Sequence, residues 1–284
     1  MTHTVQLANG VTVPALGQGT WYLGDDPSTR AREIDAIRQG IDAGMTLIDT
    51  AEMYGGGRSE DLVGEAISTV DRGRLFLVSK VLPQNAGGRK LGKALDATLE
   101  RMGVEQLDLY LYHWRGSYSL RETVDCLEEQ KALGRIKAWG VSNFDIDDME
   151  ELFALPGGQN CLVNQVLYHT GSRGIEFSLL PWMKEHHVAL MSYCPLAQAG
   201  SLERSLFRSP VLRAIADKHG VPVSQVLLAW NIRDGQTIAI PRSSRPEHTL
   251  ANAGADRLDL TEEELRMIDK VYPKPTHKEW LDMQ

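Results

Sequence analysis

The sequence predicts an α/β chain closed into a single (β/α)8 barrel of the TIM type, with an N-terminal β-hairpin lid and a C-terminal helix and tail. Short apolar runs of β type alternate with stretches of helical periodicity along the chain, the order that produces a parallel sheet. Polar residues close those runs: Asp49, Lys80, His113, Asn143, Gln165, Tyr193 and Arg242, spaced by 31, 33, 30, 22, 28 and 49 residues. Most of these intervals match a βα unit of about 30 residues, and eight such units fill about 250 residues. No composition shift or long linker divides the chain, so residues 1–284 are read as one barrel domain.

The first element is a hairpin. Val5, Leu7, Asn9-Gly10, Val11 and Val13 alternate around an Asn-Gly pair, the pattern of strands joined by a type I′ turn, and this piece should plug or lid the barrel. Strands follow over 46–48, 75–78, 107–112, 136–141, 162–163, 188–191 and 237–240. Helical spacing fills the gaps, as in Ile34, Ile37 and Ile41, or Leu91, Leu95, Leu99 and Met102, and these stripes are core packing. Thr261-x-x-Glu264 is a capping box that opens the last helix around Leu265 and Ile268. The long interval before Arg242 leaves room for an inserted helix near a phosphate site.

A doubly wound nucleotide fold is the competing α/β architecture, and its fingerprint is missing. Gly17-Gln-Gly19 has no third glycine, and Gly55-Gly56-Gly57-Arg58-Ser59 lacks a P-loop lysine; both read as turn glycines. With 38 acidic against 30 basic side chains the net charge is −8, which argues against a nucleic-acid clamp or a polybasic membrane binder. Cys126, Cys161 and Cys194 are scattered and odd in number, which suggests neither a disulfide framework nor a zinc site, and no metal is expected. The N-terminus, Met1-Thr2-His3, lacks a signal-peptide pattern and no apolar run is long enough to span a membrane, so a cytoplasmic protein is expected.

Asp49, Tyr54, Lys80 and His113 form a chemical device if the strand ends meet. An ammonium beside a phenol favours the phenolate, so Lys80 should lower the Tyr54 pKa from its usual value of about 10, with Asp49 holding Lys80 charged. A neutral His113 can donate a hydrogen bond to a carbonyl oxygen while Tyr54 delivers a proton there. That is the protein's half of a carbonyl reduction, and the hydride must come from a cofactor. Taken singly, Asp49 and Lys80 also fit a buried ion pair, and His113 a core histidine.

At these residues the sequence resembles the aldo-keto reductase family over nearly the whole chain. The matching segments are Leu16-Gly-Gln-Gly-Thr-Trp21, Asp49-Thr-Ala-Glu-Met-Tyr-Gly55 with Gly57-Arg-Ser-Glu60, Val78-Ser-Lys80, 109–114, 134–144, Asn164-Gln165, Ser192-Tyr193-Cys-Pro-Leu196 and Ile240-Pro-Arg-Ser243. The resemblance implies a barrel that binds NADPH across its mouth, without a Rossmann domain, and reduces aldehydes or ketones. By position, Tyr54 resembles the general acid, Lys80 and Asp49 the pair that tunes it, and His113 the group that orients the carbonyl. Ser142, Asn143 and Gln165 match positions that bind the nicotinamide carboxamide, Tyr193 the ring that stacks on it, and Gly19 and Thr20 a backbone-contacting loop. Trp21 and Trp114 match walls of the substrate pocket.

The stretch with Arg242, Ser243, Arg245, His248 and Asn252 resembles the clamp for the adenosine 2′-phosphate. Arg242 stands where lysine is usual and His248 where arginine is usual, so NADPH is favoured over NADH with a weakened clamp. The short loop before Leu120 and the brief polar tail imply an open pocket and broad specificity, and the resemblance points to bacterial-type reductases of small aldehydes, methylglyoxal among them. Arg115 beside the mouth could favour oxo-acids or sugar acids, or stand as a solvated charge. The expected partner is a small carbonyl substrate, with no nucleic acid or membrane, in a monomer or weak homo-oligomer. Two alternatives share the barrel: a Schiff-base lyase using Lys80, and a nucleotide-binding redox sensor or subunit without significant turnover.

Overall fold

The computed structural model describes residues 3–197 and 200–284, so Met1 and Thr2 of the N-terminal reading lie outside the described residues. Strands β1 (Thr4–Gln6) and β2 (Thr12–Pro14) pair antiparallel as the expected hairpin. Its turn differs from the type I′ expectation. Leu7 N donates to Val11 O and Gly10 N to Leu7 O, each at 2.8 Å, and of the loop residues only Gly10 has positive φ, at 84°. This is a three-residue loop, a type I turn followed by a left-handed glycine, whereas type I′ needs positive φ at two residues.

The barrel strands are β3 (Gln18–Gly19), β4 (Leu47–Asp49), β5 (Phe76–Val81), β6 (Leu107–Tyr112), β7 (Ile136–Ser142), β8 (Cys161–Leu167), β9 (Ala189–Tyr193) and β10 (Thr237–Ala239). They form one eight-stranded sheet in chain order, each neighbouring pair parallel. The first and last strands meet. Gly17 N donates to Ala239 O at 2.8 Å, Ala239 N to Ala15 O at 2.8 Å and Gly19 N to Pro241 O at 3.1 Å, which closes the sheet into a barrel. Gly17 and Gly19, read from sequence as turn glycines, belong to this seam. A Cβ on Gly19 would stand 2.7 Å from Ile240 O, so close approach of two backbones requires glycine there.

Helices α1 (Arg30–Asp42), α2 (Arg58–Ile67), α3 (Gly88–Met102), α4 (Leu120–Ala132), α5 (Ile146–Phe153) and α6 (Leu179–Glu185) link successive strands from β3 to β9. Between β9 and β10 the chain forms α7 (Gly200–Arg208), α8 (Pro210–His219) and α9 (Val223–Ile232), the helical insertion expected from the long interval. After β10 come α10 (Pro246–Gly254) and α11 (Glu262–Val271), the latter opened by the predicted Thr261–Glu264 capping box.

Strand alternation divides the core in two. Leu47, Val78, Leu109, Leu111, Val163 and Met191 point into the barrel, while Ile48, Leu77, Tyr110, Tyr112 and Leu190 pack under the helices. Val5, Leu7 and Val13 of the hairpin join the inward set and cover Ala189, where β9 begins. The hairpin therefore plugs the N-terminal end of the barrel and leaves the opposite mouth to the strand ends. Among the described residues no helix is long and apolar enough to cross a membrane.

Candidate active site

The same two-residue period that fills the barrel aims the polar terminators into its mouth. Leu47 points inward, so Asp49 does as well; Val78 is followed in this way by Lys80, Leu111 by His113, Val163 by Gln165 and Met191 by Tyr193. Asp49, His113, Gln165 and Tyr193, with Tyr54, Ser142, Asn143 and Arg242, surround one cavity of about 240 Å3, and Lys80 is bonded to Asp49 and Tyr54 without reaching it. Trp21, Trp114, Met53 and Met283 supply apolar wall, and Gly19, Thr20 and Ile240 complete the side next to the seam.

Lys80 is fully buried, and each of its three N–H donors is used. Nζ lies 2.7 Å from Asp49 Oδ2, 2.8 Å from Thr50 O and 3.0 Å from Tyr54 OH. A lysine ammonium can only donate, so Tyr54 oxygen accepts from Lys80 and its own O–H is left to point elsewhere. Tyr54 is placed by the short turn Tyr54–Gly57, in which Gly55, Gly56 and Gly57 have φ of 60°, 64° and 98°. The His113 ring stands edge-on to Tyr54, with centroids 6.0 Å apart, and Trp21 flanks the phenol at 6.3 Å.

Burial governs the protonation states. It pushes the Asp49 carboxyl up and the Lys80 ammonium down, and their mutual attraction opposes both shifts. Carboxylate and ammonium are nonetheless the forms this geometry satisfies, because donors reach both Asp49 oxygens: Lys80 at Oδ2 and Gln165 Nε2 at Oδ1, 2.8 Å away. His113 is held neutral, its pKa pushed down to about 2 by burial and by the Lys80 charge. Against the expected acidification of Tyr54 by Lys80, burial pushes the phenol pKa well above its ordinary value, and the Asp49 charge adds to that. Tyr54 is a phenol that keeps its proton at neutral pH.

Beside this group the polar residues hold one another. Ser142 Oγ donates to Gln165 O at 2.8 Å, Asn143 Nδ2 to His113 O at 3.1 Å, and Tyr193 OH to Asn143 Oδ1 at 2.9 Å. Asn143 does this from a left-handed backbone, φ 59°, directly after β7. Arg242 follows β10 and reaches the same cavity, with Nε buried and unpartnered. Ser243 Oγ donates to Arg245 O, Asn252 is buried on α10, and His248 is exposed on the same helix. The structure thus brings together Asp49, Tyr54, Lys80, His113, Ser142, Asn143, Gln165, Tyr193, Gly19, Thr20, Trp21, Trp114 and Arg242; Ser243, His248 and Asn252 lie outside the cavity lining.

Two expectations about the mouth change. Arg115 neither faces a substrate nor stands free, because its guanidinium pairs with Asp148 at 2.9 Å and Glu151 at 2.8 Å. The tail narrows the pocket that short loops were expected to leave open. Lys278 bonds Asp147, Asp282 bonds Ser172, and Gln284 Oε1 lies 3.0 Å from Cys194 Sγ, which brings Met283 and Gln284 onto the cavity. Sequence reasoning missed Met53, Cys194, Met283, Gln284 and the Thr50 carbonyl; none ends an apolar run, so strand periodicity gave no signal for them.

The aldo/keto reductase family model matches residues 15–273. Methylglyoxal reductase YeaE of Escherichia coli K12 is 50% identical over 279 residues, 98% of each chain, and glyoxal reductase of Bacillus subtilis is 34% identical over 97% of each. Among solved structures, an aldo/keto reductase of Klebsiella pneumoniae in complex with NADP and acetate superposes with a TM-score of 0.97, at 46% identity and with both chains fully covered. With the strand-end residues gathered at one barrel mouth and the family model spanning most of its length, the chain belongs to the aldo/keto reductase family.

Proposed function

We propose that this protein reduces the carbonyl group of small, uncharged aldehydes, 2-oxoaldehydes such as methylglyoxal among them, to alcohols with NADPH, and that Tyr54 is the general acid. One observation carries the reading: Lys80 spends all three N–H groups on Asp49, Thr50 and Tyr54, so the Tyr54 O–H is the proton aimed at whatever occupies the cavity. Burial keeps the phenol protonated at neutral pH, the form from which it can donate. A developing alkoxide is a base comparable to hydroxide, with a conjugate acid near about 16, and takes a proton from an ordinary or even a weakened phenol. Neutral His113 supports the carbonyl oxygen from the side, donating a hydrogen bond without competing as an acid.

The residues present fit a nicotinamide dinucleotide. Arg242 Nε and His113 Nδ1 are buried with no partner, and the Tyr193 ring lines the cavity between them. Tyr193 would face the nicotinamide ring, Ser142, Asn143 and Gln165 its carboxamide, and Arg242, with Ser243 and the α10 N-terminus, a phosphate. When bound, the nicotinamide supplies the hydride that the protein lacks. The neighbours described as methylglyoxal and glyoxal reductases support the substrate class, as do the apolar walls and the pairing of Arg115, whose guanidinium is taken up by Asp148 and Glu151. A Schiff-base role for Lys80 is disfavoured, since the amine is inaccessible and held as the ammonium.

The test is NADPH oxidation under multiple turnover with methylglyoxal and an aldehyde panel, in wild type and Tyr54→Phe. The reading expects turnover in the wild type, and in the variant a loss of at least about a hundredfold in kcat with NADPH affinity unchanged. Substantial activity in Tyr54→Phe would retire Tyr54 as the acid.

A further inference from the structure

Directly behind the Tyr54–Lys80 pair lies a second buried carboxylate. Glu60 stands in the first turn of α2, and its side chain is completely inaccessible. Three donors converge on it. Oε1 accepts from Ser79 Oγ at 2.6 Å and Thr98 Oγ1 at 3.0 Å, and Oε2 accepts from Arg101 Nε at 2.6 Å, with Nη2 of the same ion pair also 2.6 Å away. Thr98 and Arg101 belong to α3, and Ser79 is the residue before Lys80 on β5. Ser79 and Lys80 point to opposite faces of β5, so Glu60 sits on the helix side of the strand whose barrel side carries the ammonium.

Through Arg101 the same carboxylate is linked to the turn that holds Tyr54. That turn is three glycines with positive φ, which on its own does not fix where the phenol stands. It runs directly into α2, where Ser59 Oγ bonds Thr20 and Glu60 bonds β5 and α3. Arg101 lies against Gly57 so closely that a Cβ there would be 2.6 Å from its side chain. Glu60 thus joins, through one group, the strand of Lys80 and the helix that begins where the Tyr54 turn ends.

We propose that Glu60 is a positioning residue for proton donation: it fixes the Tyr54 turn against β5 and supplies, across the strand, a second negative charge that keeps Lys80 an ammonium. This rests on the reading of Tyr54 as the general acid. The charged or titratable groups around Lys80 are Asp49 from β4, Tyr54 from the turn, His113 after β6 and Glu60 from α2, with Arg101 behind Glu60 and Tyr110 of β6 alongside it. Burial pulls the Lys80 pKa down, and Glu60 and Asp49 both oppose this. A core ion pair with no functional role would stabilise the α2–α3 contact but leave the pH dependence of turnover alone.

The experiment compares Glu60→Gln with Arg101→Gln in the full chain, following kcat against pH, NADPH affinity and urea unfolding. Both variants break the Glu60–Arg101 pair, but only the first removes negative charge from behind Lys80. In Glu60→Gln, Lys80 loses its proton at lower pH, so the basic limb of kcat moves down by about half a pH unit or more, and kcat falls by about tenfold with NADPH affinity unchanged. In Arg101→Gln the basic limb stays in place or moves up. A limb unmoved in Glu60→Gln, or moved down equally in both variants, overturns the proposal. If Glu60→Gln does not fold, Ser79→Ala removes only the link to β5, and the proposal requires a kcat loss of about threefold at unchanged NADPH affinity; unchanged kcat overturns it. Tyr54→Phe is measured in parallel. Activity retained there sinks the general-acid reading, whereas an inactive Tyr54→Phe beside an unaltered Glu60→Gln sinks the Glu60 inference alone.

Discussion

Gln165 Nε2 donates to Asp49 Oδ1 across 2.8 Å, so a residue at the carboxamide position is bonded directly to the carboxylate that holds Lys80. Both groups facing Asp49 are donors. Asn at this position offers one acceptor and one donor, so Asp49→Asn sets an amide N–H against either Lys80 or Gln165. Removing one partner of a buried ion pair typically costs about 3–5 kcal/mol. Asp49→Asn is therefore expected to lower kcat, to weaken NADPH binding as the Gln165 amide reorients, and to lower the urea midpoint. Fluorescence titration with NADPH separates the effects: unchanged affinity beside a reduced kcat means that Gln165 does not transmit the change.

The neutrality of His113 has a consequence for acid stability. In the unfolded chain a histidine titrates near about 6.5, but in the folded chain His113 stays neutral down to about 2 and His169 to about 4, both chiefly through burial. Below 6.5 the unfolded state therefore binds protons that the folded state refuses, and stability falls as the pH falls. Each such histidine removes about 1 kcal/mol per pH unit in this window. Urea midpoints between pH 7 and 4.5 should drop more steeply in wild type than in His113→Asn. Identical slopes would mean that His113 is protonated in the folded protein.

The polar cluster at the barrel mouth was legible because a parallel strand buried on both faces has one inward polar position left, at its C-terminal end. Lys80, His113 and Gln165 each stand two residues beyond an inward apolar side chain, and that period survives in the sequence. Strand β3 left no such trace. It is two residues long, and Gly19 serves backbone approach rather than side-chain packing. The ammonium beside Tyr54 can be inferred from the strand ends, whereas the burial that pushes the phenol pKa up depends on the closed mouth. The tail was invisible for a related reason: Asp282 and Lys278 are ordinary surface residues until the fold brings Ser172 and Asp147 beside them.

On the proposed function, Arg242 is the residue expected to carry a preference for NADPH. Its Nε is buried without a partner while its neighbour Ser243 caps the backbone at Arg245, which leaves the guanidinium available for a bidentate phosphate contact. Arg242→Ala should raise the NADPH KM by about tenfold or more and the NADH KM by no more than about twofold. Because His248 is exposed on α10, four residues before Asn252, His248→Arg adds a charge without disturbing the core and should lower the NADPH KM. Equal effects of Arg242→Ala on both cofactors would remove the phosphate role.

Met283 lines the cavity yet remains largely exposed, so it forms an outer part of the wall. Asp282 to Ser172, Lys278 to Asp147 and Gln284 to Cys194 hold the tail by polar contacts, and Leu281 packs against the core. Each link is a single polar contact worth about 1 kcal/mol, so loosening one should shift the tail without unfolding the barrel. Asp282→Ala is expected to raise kcat/KM for bulky aromatic aldehydes relative to methylglyoxal by about threefold or more, and Met283→Ala to do the same by removing wall. NADPH affinity and the pH profile of kcat should not change, because neither residue touches Lys80, Tyr54 or Arg242. A ratio of specificities unchanged in both variants would show that the tail does not bound the substrate space, and the limit on substrate size would then fall to Trp21 and Trp114.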